Sequence, residues 1–93
     1  MNNFKRLKMS FLLPATVTQE TATHLEIEGL RHLKSLATVD CSRLKDFDST
    51  VLAVLLAWRN KLKEDKQSLF IEHAPEKLKV LAKVYGVSAL LGI

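Results

Sequence analysis

The stretch that decides the fold is residues 36–58, which read LATVDCSRLKDFDSTVLAVLLAW. It begins with a short apolar run that ends at Asp40, and such a run predicts a buried strand. Residues 42–47, which are mostly polar, are interpreted as a loop. Asp48 and the two hydroxyl residues after it then open a long apolar segment, as residues at helix starts commonly do. The stretch therefore predicts a strand, a loop and a helix in that order.

The helix predicted to begin at Asp48 runs to about Lys63. Apolar side chains recur along it at the spacing of one helix face. These are Val51, Val54, Leu55, Trp58 and Leu62. Leu52 and Leu56 widen the apolar face, which predicts that this helix is deeply packed.

The chain before this stretch predicts one strand and one helix. Residues 9–17 are strand-like, and Pro14 is expected to interrupt them because proline cannot donate to a strand ladder. Thr18 resembles a helix cap. Residues 22–33 are interpreted as helix, although residues 25–28 alternate apolar and charged side chains as a strand would.

The chain after this stretch predicts another strand and another helix. Residues 68–74 have strand character, and Pro75 suits the first position of a helix. Gly86 is expected to end that helix. The apolar tail, residues 87–93, is expected either to pack on the domain or to contact a partner. The predicted inner face of this last helix comprises Leu78, Leu81, Ala82 and Tyr85.

Strands and helices thus alternate along the whole chain, which predicts an α/β fold with helices packed on a sheet. Ninety-three residues are enough for one domain. We assign residues 8–93 to that domain and residues 1–7 to a short N-terminal extension.

The net charge of +4 arises from 14 Lys and Arg against 10 Asp and Glu. A basic excess can indicate a nucleic-acid binder. Residues 1–47 and 48–93 each carry seven basic and five acidic side chains, however, so the excess is not concentrated. We therefore predict no nucleic-acid partner, and regard a small basic nucleic-acid binder as a third hypothesis behind the two given below.

Catalytic and metal sites are not predicted. Cys41 is the single cysteine, which excludes an internal disulfide and favours a reducing compartment, most simply the cytoplasm. The histidines His24, His32 and His73 are dispersed, so neither a metal nor a cofactor is expected. The sequence contains no nucleophile-elbow, phosphate-loop or zinc-protease motif, and no run of 18 apolar residues that would insert into a membrane.

One group of polar residues could nevertheless carry function. Asp40 and Ser42 follow the predicted strand, and Asp48, Ser49 and Thr50 open the predicted helix, so both sets are expected to converge on one edge of the sheet. A helix start offers free N–H groups that suit an anion. The same residues are also the commonest helix caps and first-turn residues. Spacing alone leaves both interpretations open.

The pattern Asp40-Cys41-Ser42, a short loop and Asp48-Ser49-Thr50 leading into a Leu-rich helix resembles a STAS domain, the small domain of anti-sigma factor antagonists and sulfate transporters. Residues 81–87, which read LAKVYGV, are similar to the final helix of the MlaB-like STAS subunit of the Mla phospholipid ABC transporter. The resemblance covers residues 8–93. The chain departs from the family pattern directly after the two hydroxyl residues. Family members usually carry glycine at or near that position, whereas this chain has Val51. The resemblance implies about four strands in a mixed sheet, covered by three to four helices.

The resemblance also implies function through docking rather than catalysis. The partner would be the ATPase subunit of the transporter, which maintains outer-membrane lipid asymmetry, and the domain would be cytoplasmic, held at the inner membrane through the complex. Ser49 would be the functional hydroxyl in that case. The alternative is an anti-sigma factor antagonist, whose partner is an anti-sigma factor kinase that would phosphorylate Thr50 or Ser49. The expected partner contacts are Ser49 and Thr50 with support from Asp48, Asp40 and Ser42, and further contacts are expected at Arg43, Lys45, Val51, Leu90 and Leu91.

Overall fold

The computed structural model describes residues 10–93. Five short strands and four helices alternate along this part of the chain, which confirms the predicted α/β class. The predicted extension, residues 1–7, and the predicted start of the domain at residue 8 lie outside the described residues. The elements are β1 (Phe11–Leu12), β2 (Thr16–Val17), α1 (Gln19–Leu36), β3 (Thr38–Asp40), β4 (Asp46–Phe47), α2 (Thr50–Glu64), β5 (Phe70–Glu72), α3 (Glu76–Val84) and α4 (Ser88–Leu91).

The predicted first strand is divided into β1 and β2, as expected from Pro14. β1 pairs with β3, and β3 pairs with β5, giving a sheet of order β1-β3-β5. β2 pairs with β4 in a second, two-stranded sheet. The first strand therefore pairs with β3 before the proline and with β4 after it. Residue 9, where the strand was predicted to begin, lies outside the described residues.

The expectation of a mixed sheet is corrected, since all pairings among the described strands are parallel. The reason is the connections: α1 lies between β1 and β3, and α2 lies between β3 and β5. Such helical crossovers return the chain to the same end of the sheet, which makes neighbouring strands parallel.

A second correction concerns the predicted loop 42–47, which contains β4. The carbonyl oxygen of Ala15 accepts hydrogen bonds from the N–H groups of both Lys45 and Asp46, at 2.8 and 2.9 Å. A two-residue strand held in this way has no alternating pattern long enough to be recognised in the sequence.

Helix α1 is longer than predicted and includes the segment that alternated like a strand. It begins after Thr18, whose backbone N–H donates to the Thr21 hydroxyl at 3.2 Å. Gly29 lies in its middle, against the ring of Trp58 in α2. A Cβ atom at Gly29 would overlap that ring, so this glycine permits the close approach of two helices. The tertiary contact thus explains a residue that disfavours a helix by about 1 kcal/mol relative to Ala.

Helix α2 forms the centre of the core. The predicted face is confirmed, because all five of its side chains are buried. Trp58 is fully buried, and its indole N–H donates to the carbonyl oxygen of Glu26 in α1 at 2.9 Å. A buried Trp needs such a partner, because an unmade indole hydrogen bond would cost stability. α2 is therefore anchored to α1 by both packing and a hydrogen bond.

The last third of the domain folds against this core. Pro75 immediately precedes α3, and its carbonyl accepts from the N–H of Leu78 at 2.9 Å. Gly86 follows the helix with a φ of +72°, the left-handed conformation that favours glycine, as predicted. The apolar tail then forms α4, which buries Leu91 and leaves Leu90 half exposed. The tail therefore packs largely on its own domain.

Candidate functional site

Two turns with the same local geometry carry the predicted site residues. In the first, the Asp40 carboxylate accepts the backbone N–H of Ser42 at 2.9 Å. In the second, the Asp48 carboxylate accepts the backbone N–H of Thr50, also at 2.9 Å. An aspartate that bonds the N–H two residues later forms an Asx turn, which stabilises a sharp change of chain direction. Both turns are thus explained by local chemistry.

The Asp40 turn receives an additional partner from the next strand of the sheet. Nδ1 of His73, which follows β5, lies 3.2 Å from Oδ1 of Asp40. The Ser42 N–H, followed by smaller contributions that include His73, lowers the pKa of the Asp40 carboxyl. The sequence interpretation gave His73 no role beyond being one of three dispersed histidines, and its side chain is 65% exposed. Its pairing depends on β3 and β5 being neighbours, which no local pattern signals.

The Asp48 turn starts helix α2. The carbonyl of Asp48 accepts the N–H of Val51 at 3.1 Å in a turn that leads into the helix. α2 itself begins at Thr50 with Ser49 as its cap residue, two residues later than the predicted start at Asp48. Hydrogen bonds from the side chain and backbone of Thr50 lower the pKa of the Asp48 carboxyl. The ionised carboxylate therefore occupies the helix start itself, where it satisfies an N–H group that would otherwise attract an external anion.

The two hydroxyl residues at this helix start differ in availability. Thr50 is half-buried, and its side chain is engaged with Asp48. Ser49 is exposed, and within residues 10–93 no hydrogen bond to its hydroxyl is found. Ser49 is consequently the hydroxyl that a partner can reach.

Among the described residues, the two turns are not joined by a hydrogen bond or an ion pair. β3 pairs alongside Leu12, whereas β4 pairs alongside Val17, so the ends of these strands are offset along the first strand. The expected convergence of the two sets on one edge of the sheet therefore stays a prediction.

An apolar groove of about 250 Å³ begins at Ser49. Its walls come from the outward side of α2 and from the chain that follows α3. The Lys77 ammonium of α3 lies 5.0 Å from the centre of the Phe47 ring. This cation–π contact joins α3 to β4, the strand that precedes α2. The lining residues are Ser49, Leu52, Ala53, Leu56, Tyr85 and Val87. We call this the Ser49 groove.

Tyr85 is the main residue of the Ser49 groove that the sequence interpretation misplaced. It was predicted to face the core, but it is 58% exposed. α3 ends at Val84, and Tyr85 follows as its cap residue with φ −88° and ψ 1°, so it no longer continues the inner face. A signal for the α2 wall existed in the sequence, because Leu52 and Leu56 recur at helical spacing from Ser49.

The remaining predicted contacts fall into two groups. Arg43 and Lys45 are exposed in the segment before α2. Val51 and Leu91 are buried, at 0% and 5% exposure, so the expectation that they contact a partner is corrected. Val51 faces the core because it lies one helical turn before Leu55 on the same inner face of α2. A β-branched residue at this position therefore does not obstruct the surface beside Ser49.

The structure also shows how the described residues stand with respect to nucleophilic catalysis, metal binding and membrane insertion. Burial, with a smaller contribution from the Asp40 charge, raises the pKa of the Cys41 thiol to about 12, so Cys41 is a poor nucleophile. In the part of the chain that the structure describes, His, Cys, Asp and Glu side chains do not gather in a group that could hold a metal ion. Among residues 10–93, no helix combines the length and apolar character needed to cross a bilayer.

A family model described as "Mlab, STAS domain" matches residues 13–92, which is most of the chain. The chain belongs to the Mlab STAS domain family. Among curated proteins the search found no match. STAS domains of this type are generally non-catalytic binding subunits, which agrees with a site composed of turns and an apolar groove. In this STAS domain, the matched region includes both Asx turns and the Ser49 groove.

Proposed function

We propose that this STAS domain is a non-catalytic subunit that docks on the ATPase of an Mla-type phospholipid ABC transporter through the Ser49 groove. The observation that carries the proposal is an exposed Ser49 that lines an apolar groove together with an exposed Tyr85. The family match supports this class of partner. In such a complex, the domain would lie on the cytoplasmic side of the inner membrane and contribute to outer-membrane lipid asymmetry.

The chemistry of the Ser49 groove suits protein binding. Aromatic residues that are half exposed beside an apolar depression commonly supply much of the binding energy at interfaces. Tyr85 fulfils this condition, and its hydroxyl retains a polar group for the rim. Arg43 and Lys45 would act at the margin, where charges influence the rate of association more than the affinity.

The mechanism would be a shift in the population of ATPase states. A subunit that binds one state of its partner more tightly than another raises the population of that state by its difference in affinity. Trp58 anchors α2, which forms one wall of the groove, to the core by burial and by its hydrogen bond to Glu26. The domain would thereby stabilise the assembled form of the ATPase.

A single substitution tests the docking site. Ser49→Glu places charge and bulk in the lining of the groove, and we expect it to abolish co-purification with the transporter ATPase from the same organism. Thr23→Glu is the matched control, because Thr23 is an exposed hydroxyl residue near the start of α1. Circular dichroism should show both variants folded. If the Ser49→Glu variant retains the complex, the Ser49 groove is not the docking site.

The alternative of a phosphorylated anti-sigma factor antagonist makes a different prediction at the same place. The exposure of Ser49 favours it as acceptor over Thr50, which is engaged with Asp48. A phosphate on Ser49 would meet the ionised Asp48 carboxylate, and like charges repel. Mass spectrometry of the protein from its native cell distinguishes the two: phosphate on Ser49 together with a bound kinase would replace the transporter proposal.

A further inference from the structure

Two further grooves lie along β5, next to α4. One groove of about 290 Å³ is bounded by Arg59 and Lys63 of α2, and another of about 440 Å³ runs between β5 and α4. The two share Leu69 and Leu90, so they form one continuous surface, which we call the β5-edge groove. It has no lining residue in common with the Ser49 groove.

The floor of the β5-edge groove is the edge of the parallel sheet. β5 is the last strand in the order β1-β3-β5. The Phe70 N–H donates to Ala37, and the Glu72 carbonyl accepts from Cys41, both at 2.9 Å and both toward β3. Backbone groups alternate in direction along a strand, so those of Ile71, between them, point toward the groove. Among the described strands, none pairs with this edge.

The side chains around this edge are apolar at its centre and basic at one end. Phe70 and Leu90 are 60% and 50% exposed. Arg59 is held at the rim by donating from Nε to the Leu90 carbonyl at 3.0 Å. Lys63 is exposed one helical turn further on, and no acidic side chain lines this end of the groove. Glu72 lines the groove away from this basic end, so negative charge on a ligand is favoured at Arg59 and Lys63 only.

We propose that the β5-edge groove binds an extended segment of a partner protein that carries acidic residues next to apolar ones. Its backbone would pair with Ile71, as an added strand pairs with an open sheet edge. Its apolar side chains would cover Phe70 and Leu90, and its acidic residues would lie at Arg59 and Lys63. An anionic lipid would match the charge but has no backbone to pair with the strand edge, so the edge favours a peptide.

The experiment uses the full chain and labelled peptides of alternating Val and Thr, with a pair of Glu residues at either the amino or the carboxyl end. Fluorescence anisotropy should show binding of at least one acidic peptide and none of the counterparts with Lys in place of Glu. Lys63→Glu should weaken binding by roughly tenfold, since it replaces an attraction by a repulsion. Lys79→Glu, an exposed lysine of α3 that does not line the groove, is the matched control and should change binding by less than about twofold.

A second readout isolates backbone pairing without changing the protein. The acidic peptide is N-methylated at alternate residues, in each of the two possible alternations, and one alternation should lose binding because its N–H groups are those that face the strand edge. The proposal is overturned if neither acidic peptide binds, if the Lys peptides bind equally, or if both methylated forms bind like the parent. It is also overturned if sedimentation shows that β5 edges pair two copies of the chain, or if only anionic vesicles bind.

Discussion

Helix α2 has two apolar faces that serve different purposes. The inner face, which includes Leu55 and Trp58, is fully buried against the sheet and α1. The other side, which includes Ala53 and Leu56, is only partly covered and forms a wall of the Ser49 groove. The comparison teaches that one apolar helix can supply the stability of the domain with one face and a docking surface with the other. Substitutions on the two faces should therefore affect different measurements.

The largest expected effect is on the inner face. Trp58→Ala should lower the free energy of unfolding by roughly 3–5 kcal/mol, because it leaves a cavity and removes the indole hydrogen bond to the Glu26 carbonyl. Denaturant unfolding measures this loss. Leu56→Ala is the control on the groove face and should cost less than about 2 kcal/mol, since Leu56 is only half-buried. A loss below about 1 kcal/mol for Trp58→Ala would remove the distinction between the faces.

The next effect concerns the contact that holds the inner face against α1. Gly29→Ala gains about 1 kcal/mol of helix propensity, but its Cβ overlaps the buried Trp58 ring, and overpacking costs up to about 3 kcal/mol. We expect a net destabilisation of about 2 kcal/mol in thermal or denaturant unfolding. Gly86→Ala would not serve as a control for this glycine-to-alanine change, because Gly86 has a positive φ that alanine disfavours. A stabilised Gly29→Ala variant would mean that the two helices separate easily.

A smaller effect is expected on the groove face, in binding rather than stability. Tyr85→Ala should weaken binding to the partner ATPase roughly tenfold, about 1.4 kcal/mol, because an exposed aromatic beside the groove is lost. The free energy of unfolding should change by less than about 0.5 kcal/mol, as for other surface positions. Titration calorimetry and denaturant unfolding measure the two quantities. A variant that loses stability but keeps its affinity would assign Tyr85 to the core.

The smallest effect is expected at the Asp40 turn, which belongs to neither face of α2. The pKa of Asp40 is lowered in the folded state, chiefly by the Ser42 N–H. Its contribution to stability is therefore fully present above the unfolded pKa of about 3.9 and is lost as the pH falls through the lower folded pKa. The difference in stability between the natural protein and Asp40→Asn should shrink over that acidic range. A difference that stays constant with pH would exclude the charged hydrogen bond as its source.

The two aspartate turns show which parts of the site could be predicted from the sequence. The Asp48 turn was anticipated as a helix start, because its hydrogen bond spans two residues and depends only on local geometry. The Asp40 turn has the same local bond, but its contact with His73 joins positions that are distant in the chain. Tyr85 was assigned to the core, because helical periodicity does not show where a helix ends against its neighbours.

The sequence by itself determined the α/β class, the inner face of α2, the break of the first strand at Pro14 and a helix start close to Asp48. All of these depend on periodicity or on residues a few positions apart, so local physical chemistry specifies them. Only the tertiary structure decided that the described strands are all parallel, that Val51 and Leu91 are buried, and that Ser49 and Tyr85 meet at one groove. These features depend on which elements pack together, and that is settled by long-range burial of apolar surface over the whole domain.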